Sequence, residues 1–366
     1  NTDVFSIFGQ YSVDLSDVTE LSIEGRYDKE KRSVNNNVPG VASALYYGGG
    51  TPINPAMGAV GDIIPSRDKS FDQFQPKISL TTSADNTTVY ASYGVGFRSG
   101  GFNSSGSAAT TEFWLNSGNP FGLGVVGAGL GVSDTFKKEV SKSFEVGFKG
   151  RYLDGRLEVN GALFETEVDD NQFFEFFAGP WGLLRVVTNI DQLDISGSEL
   201  DFKYAVSDNL TLDGGLGFTD GEIKKNAHRP NTVGNNAPLA PEHTYNFGLQ
   251  YETSFSANYD LVLRVDYMEV GETWFHTVQD DQGPSVWTAL LGFPVASDMT
   301  RAVRDPYELV DFRASLIGEK LSLTLWGRNI TDEEYLAEVI PAPEFGGSFI
   351  HEAPYATYGI DLKYNF

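Results

Sequence analysis

The sequence predicts an all-β fold, a transmembrane antiparallel β-barrel, and three observations predict it. Apolar and polar residues alternate with a period of two through about 13 segments, with the charges of each segment kept to one side. Connections of a few turn-forming residues alternate with long ones along the whole chain. Helix signals are absent, and no run of about 18 apolar residues offers a membrane helix.

The first strand runs from Asp3 to Leu15, with Phe5, Ile7, Tyr11 and Val13 on one side and Ser6, Gln10 and Ser12 on the other. Leu21, Ile23 and Tyr27 then oppose Glu20, Glu24 and Arg26, and a weaker segment follows from Phe74 to Thr82. Val89, Ala91, Tyr93, Val95 and Phe97 stand against Ser92 and Arg98; Phe144, Val146 and Phe148 stand against Glu145, Lys149 and Arg151. Leu157, Val159 and Leu163 oppose Glu158 and Asn160; Leu200, Phe202 and Tyr204 oppose Glu199, Asp201 and Lys203; Leu210, Leu212 and Leu216 oppose Asp213. Tyr245, Phe247, Leu249 and Tyr251 face away from Asn246, Gln250 and Glu252, as Leu261, Leu263, Val265 and Tyr267 do from Arg264 and Asp266. Val310, Phe312 and Leu316 oppose Asp311 and Arg313, and Leu321, Leu323 and Leu325 oppose Ser322, Thr324 and Arg328. The last strand sets Tyr358, Ile360, Leu362, Tyr364 and Phe366 against Thr357, Asp361, Lys363 and Asn365.

Tight turns fall near Ser16–Asp17, Asp85–Asn86, Asp154–Gly155, Asp208–Asn209, Ser254–Asn258 and Glu319–Lys320. Between them lie long connections near 34–70, 103–135, 169–186, 222–242, 273–305 and 333–352. An antiparallel sheet with short turns at one end and long loops at the other has the layout of an outer-membrane barrel. Its apolar face meets lipid, and its charged face meets a wet or protein-filled lumen. Lipid leaves no partner for bare backbone groups, so the sheet must close. Tyr90, Tyr152, Tyr204, Tyr251, Tyr259 and Tyr364 sit near the short-turn end, where their rings form an interfacial girdle. The chain opens inside a strand with no secretory signal before it, and the expectation is that residues 1–366 are the C-terminal portion of one barrel domain, lacking an odd number of upstream strands.

A net charge of −24 argues against a nucleic-acid partner, which needs a basic footprint. The absence of cysteine removes disulfides and thiolate metal sites. Residues 122–127 match a Gly-x-Gly-x-x-Gly pattern without the strand, helix and acidic partner of a dinucleotide site. His228, His243, His276 and His351 are scattered and lack metal-ligand spacing. The acidic pairs Asp169–Asp170, Asp280–Asp281 and Glu333–Glu334 are read as solvated charge, and no nucleophile pairs with a base by spacing. No enzyme, no cofactor and no metal site is therefore expected.

Two loop segments concentrate aromatic surface. One is Phe173–Trp181, with Phe173, Phe176, Phe177 and Trp181; the other spans Trp274, Phe275, His276 and Trp287. Exposed apolar clusters mark contact surfaces, so the alternatives are a ligand at the mouth, a partner protein, or loop-on-loop packing. The lumen-facing charges are Arg98, Glu145, Lys149, Arg151, Asp201, Lys203, Arg264, Asp266, Asp311 and Arg313, which either bond a plug or line a water-filled pore.

The segments Val89–Asn103 (VYASYGVGFRSGGFN), 143–150 (SFEVGFKG), 155–164 (GRLEVNGALF), 196–200 (SGSEL) and 327–335 (GRNITDEEY), with the terminal Phe366, together resemble TonB-dependent outer-membrane receptors across nearly the whole chain. The resemblance implies a barrel of about 22 strands in a Gram-negative outer membrane. It also implies an N-terminal plug and a TonB box that recruits the energy-transducing TonB complex; neither is present in this sequence. Such receptors import bulky nutrients, and the FRSGGFN stretch at 97–103 points towards a ferric siderophore or similar iron complex. Cobalamin, haem or an oligosaccharide, or a passive structural barrel, are the alternatives. The implied partners are outer-membrane lipid, the plug and upstream strands, the TonB complex and a small-molecule or metal-complex ligand. Phe366 corresponds to the terminal aromatic that serves as an assembly signal.

Overall fold

The computed structural model describes residues 1–36, 54, 56–57, 62–117, 129–179, 182–280 and 297–366. Its main feature is one 13-stranded sheet in which every strand pairs antiparallel with its neighbours in sequence. The strands are β1 (Thr2–Ser16), β2 (Thr19–Val34), β3 (Arg67–Ala84), β4 (Thr87–Arg98), β5 (Glu139–Tyr152), β6 (Leu157–Gly179), β7 (Gly182–Ala205), β8 (Leu210–Lys225), β9 (His243–Ser256), β10 (Tyr259–Val270), β11 (Tyr307–Gly318), β12 (Leu321–Arg328) and β13 (Thr357–Tyr364). The outermost strands, β1 and β13, pair along one edge only among the described residues. Turn chemistry sits where the sequence places it: Leu153, Asp154 and Gly155 take left-handed backbone between β5 and β6, as Asp85 does between β3 and β4.

One face of the sheet carries the exposed apolar rows. Leu163 and Ile360 are 64% and 70% exposed, far too open for a protein core but suited to an acyl-chain solvent. The height of this belt can be read from the residues that bound it. On β5 it runs from Tyr152 to Phe144 and is followed by Lys142; on β8 it runs from Leu210 to Phe218, followed by Asp220 and Glu222; on β10 it runs from Tyr259 to Tyr267, followed by Glu269. Eight residues at ~3.3 Å each, tilted ~40°, span roughly 20 Å, close to the apolar band of an outer-membrane barrel. Above it the same face becomes ionic: Lys142 Nζ lies 2.6 Å from Glu167 and 2.8 Å from Asp169, and Lys224 lies 2.6 Å from Glu222.

The inner face carries charge in register. Arg151, Glu158, Lys203, Asp213, Gly248, Asp266 and Asp311 are successive cross-strand partners on β5 to β11. Gly248 breaks the row of charges because Arg264 reaches across it: a Cβ there would lie 2.2 Å from the guanidinium, which binds both oxygens of Asp213 at 3.0 Å. Tyr90 belongs to this inner face, donating to Glu145 at 2.6 Å, and so is not part of the outward girdle expected of it. Its parity on β4 decides the matter.

Two further expectations are corrected. The segment 169–186 is not a loop: β6 and β7 run through it as a hairpin joined by residues 180–181. Its aromatic residues, with Phe173 and Phe174 paired to Thr188 and Val187 of β7, favour strand. Helix does occur, as a short stretch over Ser107–Thr111 continued by a π turn over Glu112–Asn116, within the β4–β5 connection. Small two-stranded ladders also stiffen the long connections, pairing Gly101–Phe102 with Thr135–Phe136, Thr273–Trp274 with Val303–Arg304, and Leu336–Ala342 with Gly347–Glu352.

Candidate functional site

The β6–β7 hairpin rises beyond the apolar belt and becomes the wall on which the long connections pack. Val168, Leu193 and Ile223 continue the inward rows of β6, β7 and β8, and Phe173, Ile190 and Ala237 join them in one buried cluster. Phe173 belongs to the opposite parity from Val168. Asp170, in left-handed backbone between them, accounts for the change of face. Higher on the hairpin, Phe177 and Val186 bury Trp114, Leu115 and Leu130 of the β4–β5 connection.

Segments that read as motifs prove to be fastenings of this layer. Asn103 donates to the carbonyls of Ser133 and Val187 at 2.7 and 2.9 Å and accepts from the Val187 N–H at 2.7 Å, tying the β4–β5 connection to β7. Asn329 accepts from the Glu333 N–H and donates to the Glu333 carbonyl, both at 2.9 Å, closing the turn after β12. Its own N–H donates to Asp311, which therefore spends one oxygen on the wall itself. The Gly-x-Gly-x-x-Gly pattern at 122–127 lies outside the described residues.

At the centre of the layer two connections, β8–β9 and β10–β11, converge on one carboxylate. Glu175 of β6 is 2% exposed; its Oε2 accepts from Arg229 Nε at 2.9 Å and Nη2 at 2.6 Å, and its Oε1 accepts from His228 Nε2 at 3.0 Å and Thr188 Oγ1 at 3.3 Å. Arg229, from the β8–β9 connection, also binds Glu344 of the β12–β13 connection at 2.9 Å. Burial alone would raise the Glu175 carboxyl, but Arg229 and His228 outweigh it and hold the group well below the usual carboxylate range. Burial likewise opposes the charge on Arg229, yet Glu175 and Glu344 raise it above its ordinary value. The histidines fix their tautomers through the other ring nitrogen: Gly131 N–H donates to His228 Nδ1 at 2.8 Å and Val278 N–H to His276 Nδ1 at 3.0 Å. Each imidazole so held carries its proton on Nε2, facing Glu175.

Beside the hub is a cavity of about 480 Å³. Phe174 and Phe176 form one wall, Val339, Ile340 and Pro341 of the 336–352 hairpin form another, and Phe275 with His276 forms the floor.

Of the aromatic candidates, Phe176, Phe275 and His276 line this cavity. Phe173 is buried beside it, edge-on to His276 at 5.7 Å, while Phe177 is enclosed in the Trp114 cluster. Trp274 is half-buried and donates from Nε1 to Glu272 at 3.0 Å; Trp181 and Trp287 lie outside the described residues. Among the lumen charges, Arg264 pairs with Asp213 and Asp266, Arg151 with Glu158, and Asp201 accepts from Asn160 at 2.8 Å. Arg98, Lys149, Lys203 and Arg313 have no ion-pair partner among the described residues, which leaves four cations on the inner wall. Phe366 is fully exposed beyond β13, its ring edge-on to Tyr364 at 5.1 Å.

The hub was not foreseen as a unit. Its signal in the sequence is a single carboxylate inside an aromatic run, Glu175 between Phe174 and Phe176, and nothing in the spacing joins it to Arg229 or Glu344. No group of three or more metal-ligating side chains occurs among the described residues, although His228 and His276 converge.

A family model described as TonB dependent receptor-like, beta-barrel matches residues 1–330. The chain is 25% identical over 255 residues to the probable TonB-dependent receptor BfrD of Bordetella pertussis, an alignment that covers 69% of the chain and 28% of that protein. In architecture it is similar to the ferric yersiniabactin uptake receptor FyuA of Yersinia pestis, with TM-score 0.70, 15% identity, and 100% of the chain against 46% of that receptor. It is also similar to the siderophore receptor PiuA of Acinetobacter baumannii, with TM-score 0.66, 14% identity, and 99% of the chain against 43% of that receptor. The chain thus spans less than half the length of each of these proteins.

Proposed function

The chain belongs to the TonB-dependent receptor-like β-barrel family, and from that premise we propose that it serves the uptake of a bulky ferric siderophore or similar iron complex. The sheet resides in the Gram-negative outer membrane. In this proposal residues 1–366 are the C-terminal portion of a barrel of about 22 strands, closed by strands outside these residues. A plug fills the lumen, and the TonB complex energises release. The four unpaired cations Arg98, Lys149, Lys203 and Arg313, with Glu145, Arg151, Asp201, Arg264, Asp266 and Asp311, meet that plug.

The observation that carries the proposal is the loop layer. A passive pore needs an open mouth, whereas here the described parts of the β4–β5 and β8–β9 connections are buried against the β6–β7 hairpin, and an ionic hub beside an aromatic cavity ties Arg229 to it. Such rigidity suits selective capture. Phe176, Phe275, His276 and Trp274, with Trp181 and Trp287, contribute to capture, and Phe173 and Phe177 position the hairpin that carries them. The names of the solved relatives, receptors for ferric yersiniabactin and for a siderophore, favour iron complexes over other bulky solutes.

The test is accumulation of radio-iron-labelled siderophore complexes by cells with and without the full-length receptor. Saturable uptake that needs both the receptor and an energised inner membrane is expected. Equal accumulation without the receptor, across hydroxamate, catecholate and phenolate complexes, overturns the proposal.

A further inference from the structure

We propose that the cavity beside the hub is a binding subsite for an uncharged carbonyl-type oxygen borne on an apolar or aromatic group, with His276 Nε2–H as its donor. The inference rests on the uptake proposal above only in taking the occupant to be part of the arriving solute.

The donor is identified by elimination within one ring. Val278 N–H occupies His276 Nδ1, so the ring proton is on Nε2. His276 is 2% exposed, and this Nε2 has no hydrogen-bond partner among the described residues. The nearest acceptor, Glu175 Oε2, lies at 3.7 Å, beyond hydrogen-bond reach, and is already taken by two donors of Arg229. Glu175 cannot move closer without loosening the guanidinium. A buried N–H left unmet is costly, and an incoming acceptor relieves that cost.

The surroundings set the class of acceptor. Eight of the lining residues are apolar, Phe174, Phe176 and Phe275 among them, the others being Glu175, Glu338, His276 and His351, and 480 Å³ lies within the range of small-molecule sites. Glu175 and Glu338 also line the space, so an anionic oxygen would bring a third negative charge against them. The guanidiniums of Arg185 and Arg304 stack on Phe174 and Phe275 at 4.7 and 5.5 Å and stay outside the lining. A hydroxamate or amide carbonyl meets these conditions; a catecholate does not.

The experiment measures equilibrium binding to the full-length receptor in outer-membrane vesicles. The probes are an uncharged ferric trihydroxamate and a trianionic ferric tris-catecholate. The trihydroxamate is expected to bind more tightly. His276→Phe, which keeps a ring and removes the donor, should weaken it by about ten-fold or more, and His276→Gln, which restores an N–H, should stay within about three-fold. Val339→Trp fills the cavity without touching the hub and should abolish binding, so a misfolded His276 variant does not decide the matter alone. Trihydroxamate binding unchanged in both His276→Phe and Val339→Trp, or tighter binding of the catecholate, overturns the subsite and leaves the uptake proposal standing. Absence of binding by both complexes also overturns the subsite, while the uptake proposal falls only if the phenolate complex fails as well.

Discussion

Replacing Arg229 by methionine removes the only cation of the ionic hub while keeping most of its volume. Glu175 and Glu344 would then be left buried, each having lost its bond to the guanidinium. Breaking a buried pair in this way costs ~3–5 kcal/mol, because the Glu175 carboxylate stays desolvated after losing both guanidinium bonds and keeps only its contacts with His228 and Thr188. Glu175→Gln is the milder change. It leaves Arg229 paired with Glu344 and keeps one oxygen to accept from Arg229, while its –NH2 takes the place of the oxygen that accepts from His228, so its cost is ~1.5–3 kcal/mol.

The cost falls on the loop layer rather than on the sheet, since the strands are held by their own ladders and by lipid. Peptides covering 129–133, 226–235, 273–279 and 336–352 should exchange their amides roughly two to nearly four orders of magnitude faster in Arg229→Met, and one to two orders faster in Glu175→Gln. Peptides from β10 and β11 should be unchanged. Hydrogen exchange followed by mass spectrometry of the receptor in vesicles measures all of these at once. Full protection of the four segments in Arg229→Met, or greater opening in Glu175→Gln than in Arg229→Met, would refute the charge accounting.

Acidification should act on the same layer with a sign fixed by Glu175. Its folded pKa lies below its ordinary value of 4.5, so its contribution is complete above about pH 4.5 and is lost as pH falls towards the folded value. The protection of wild type over Glu175→Gln should therefore narrow only below that pH; a gap that narrows between pH 8 and 6 would refute the assignment to Glu175. The assignment of faces is tested by neighbours on β9: Leu249→Arg should destabilise the barrel by ~2–4 kcal/mol in urea unfolding from bilayers, and Gln250→Arg by much less. Equal costs would mean that both faces see the same environment. Deleting Phe366 should lower the amount of receptor assembled in the outer membrane while leaving the ligand affinity of the assembled fraction unchanged, and normal levels in a fractionation blot would remove the assembly role.

How far the molecule can be read from its sequence depends on the range of the interaction. Strand existence and facing are local: alternate residues point to opposite faces, so Leu261, Leu263 and Val265 against Arg264 and Asp266 settle β10 without reference to any other strand. The inner row of charges from Arg151 to Asp311 is one step less local, since it needs the register, but short turns fix that within a residue. The height of Tyr90 suggests the girdle, and its parity decides against it. In the β6–β7 hairpin Asp169–Asp170 and Gly179–Pro180 are turn formers, and the aromatic residues between them, on a ladder with Val186, Val187, Thr188 and Ile190 of β7, outweigh those signals.

The hub is the opposite extreme. Glu175 lies on β6 while Arg229 and Glu344 lie on two different connections, and no periodicity relates them. What joins them is an energetic necessity that appears only once the layer is packed. A connection laid against a wall of Phe173, Phe177 and Ile190 buries whatever polar groups it carries, and each must then find a partner or be expelled. Glu175 is held in place by the aromatic residues on either side of it, so its neutralisation had to come from elsewhere in the chain, and Arg229 supplies it with His228 beside it. His276 arrives at the same carboxylate after Arg229 has taken the near oxygen, and its unmet N–H is what remains of that competition. Of the unsatisfied buried donors among the described residues, this one sits beside the carboxylate that Arg229 and His228 already occupy, at the wall of a cavity large enough to admit a solute.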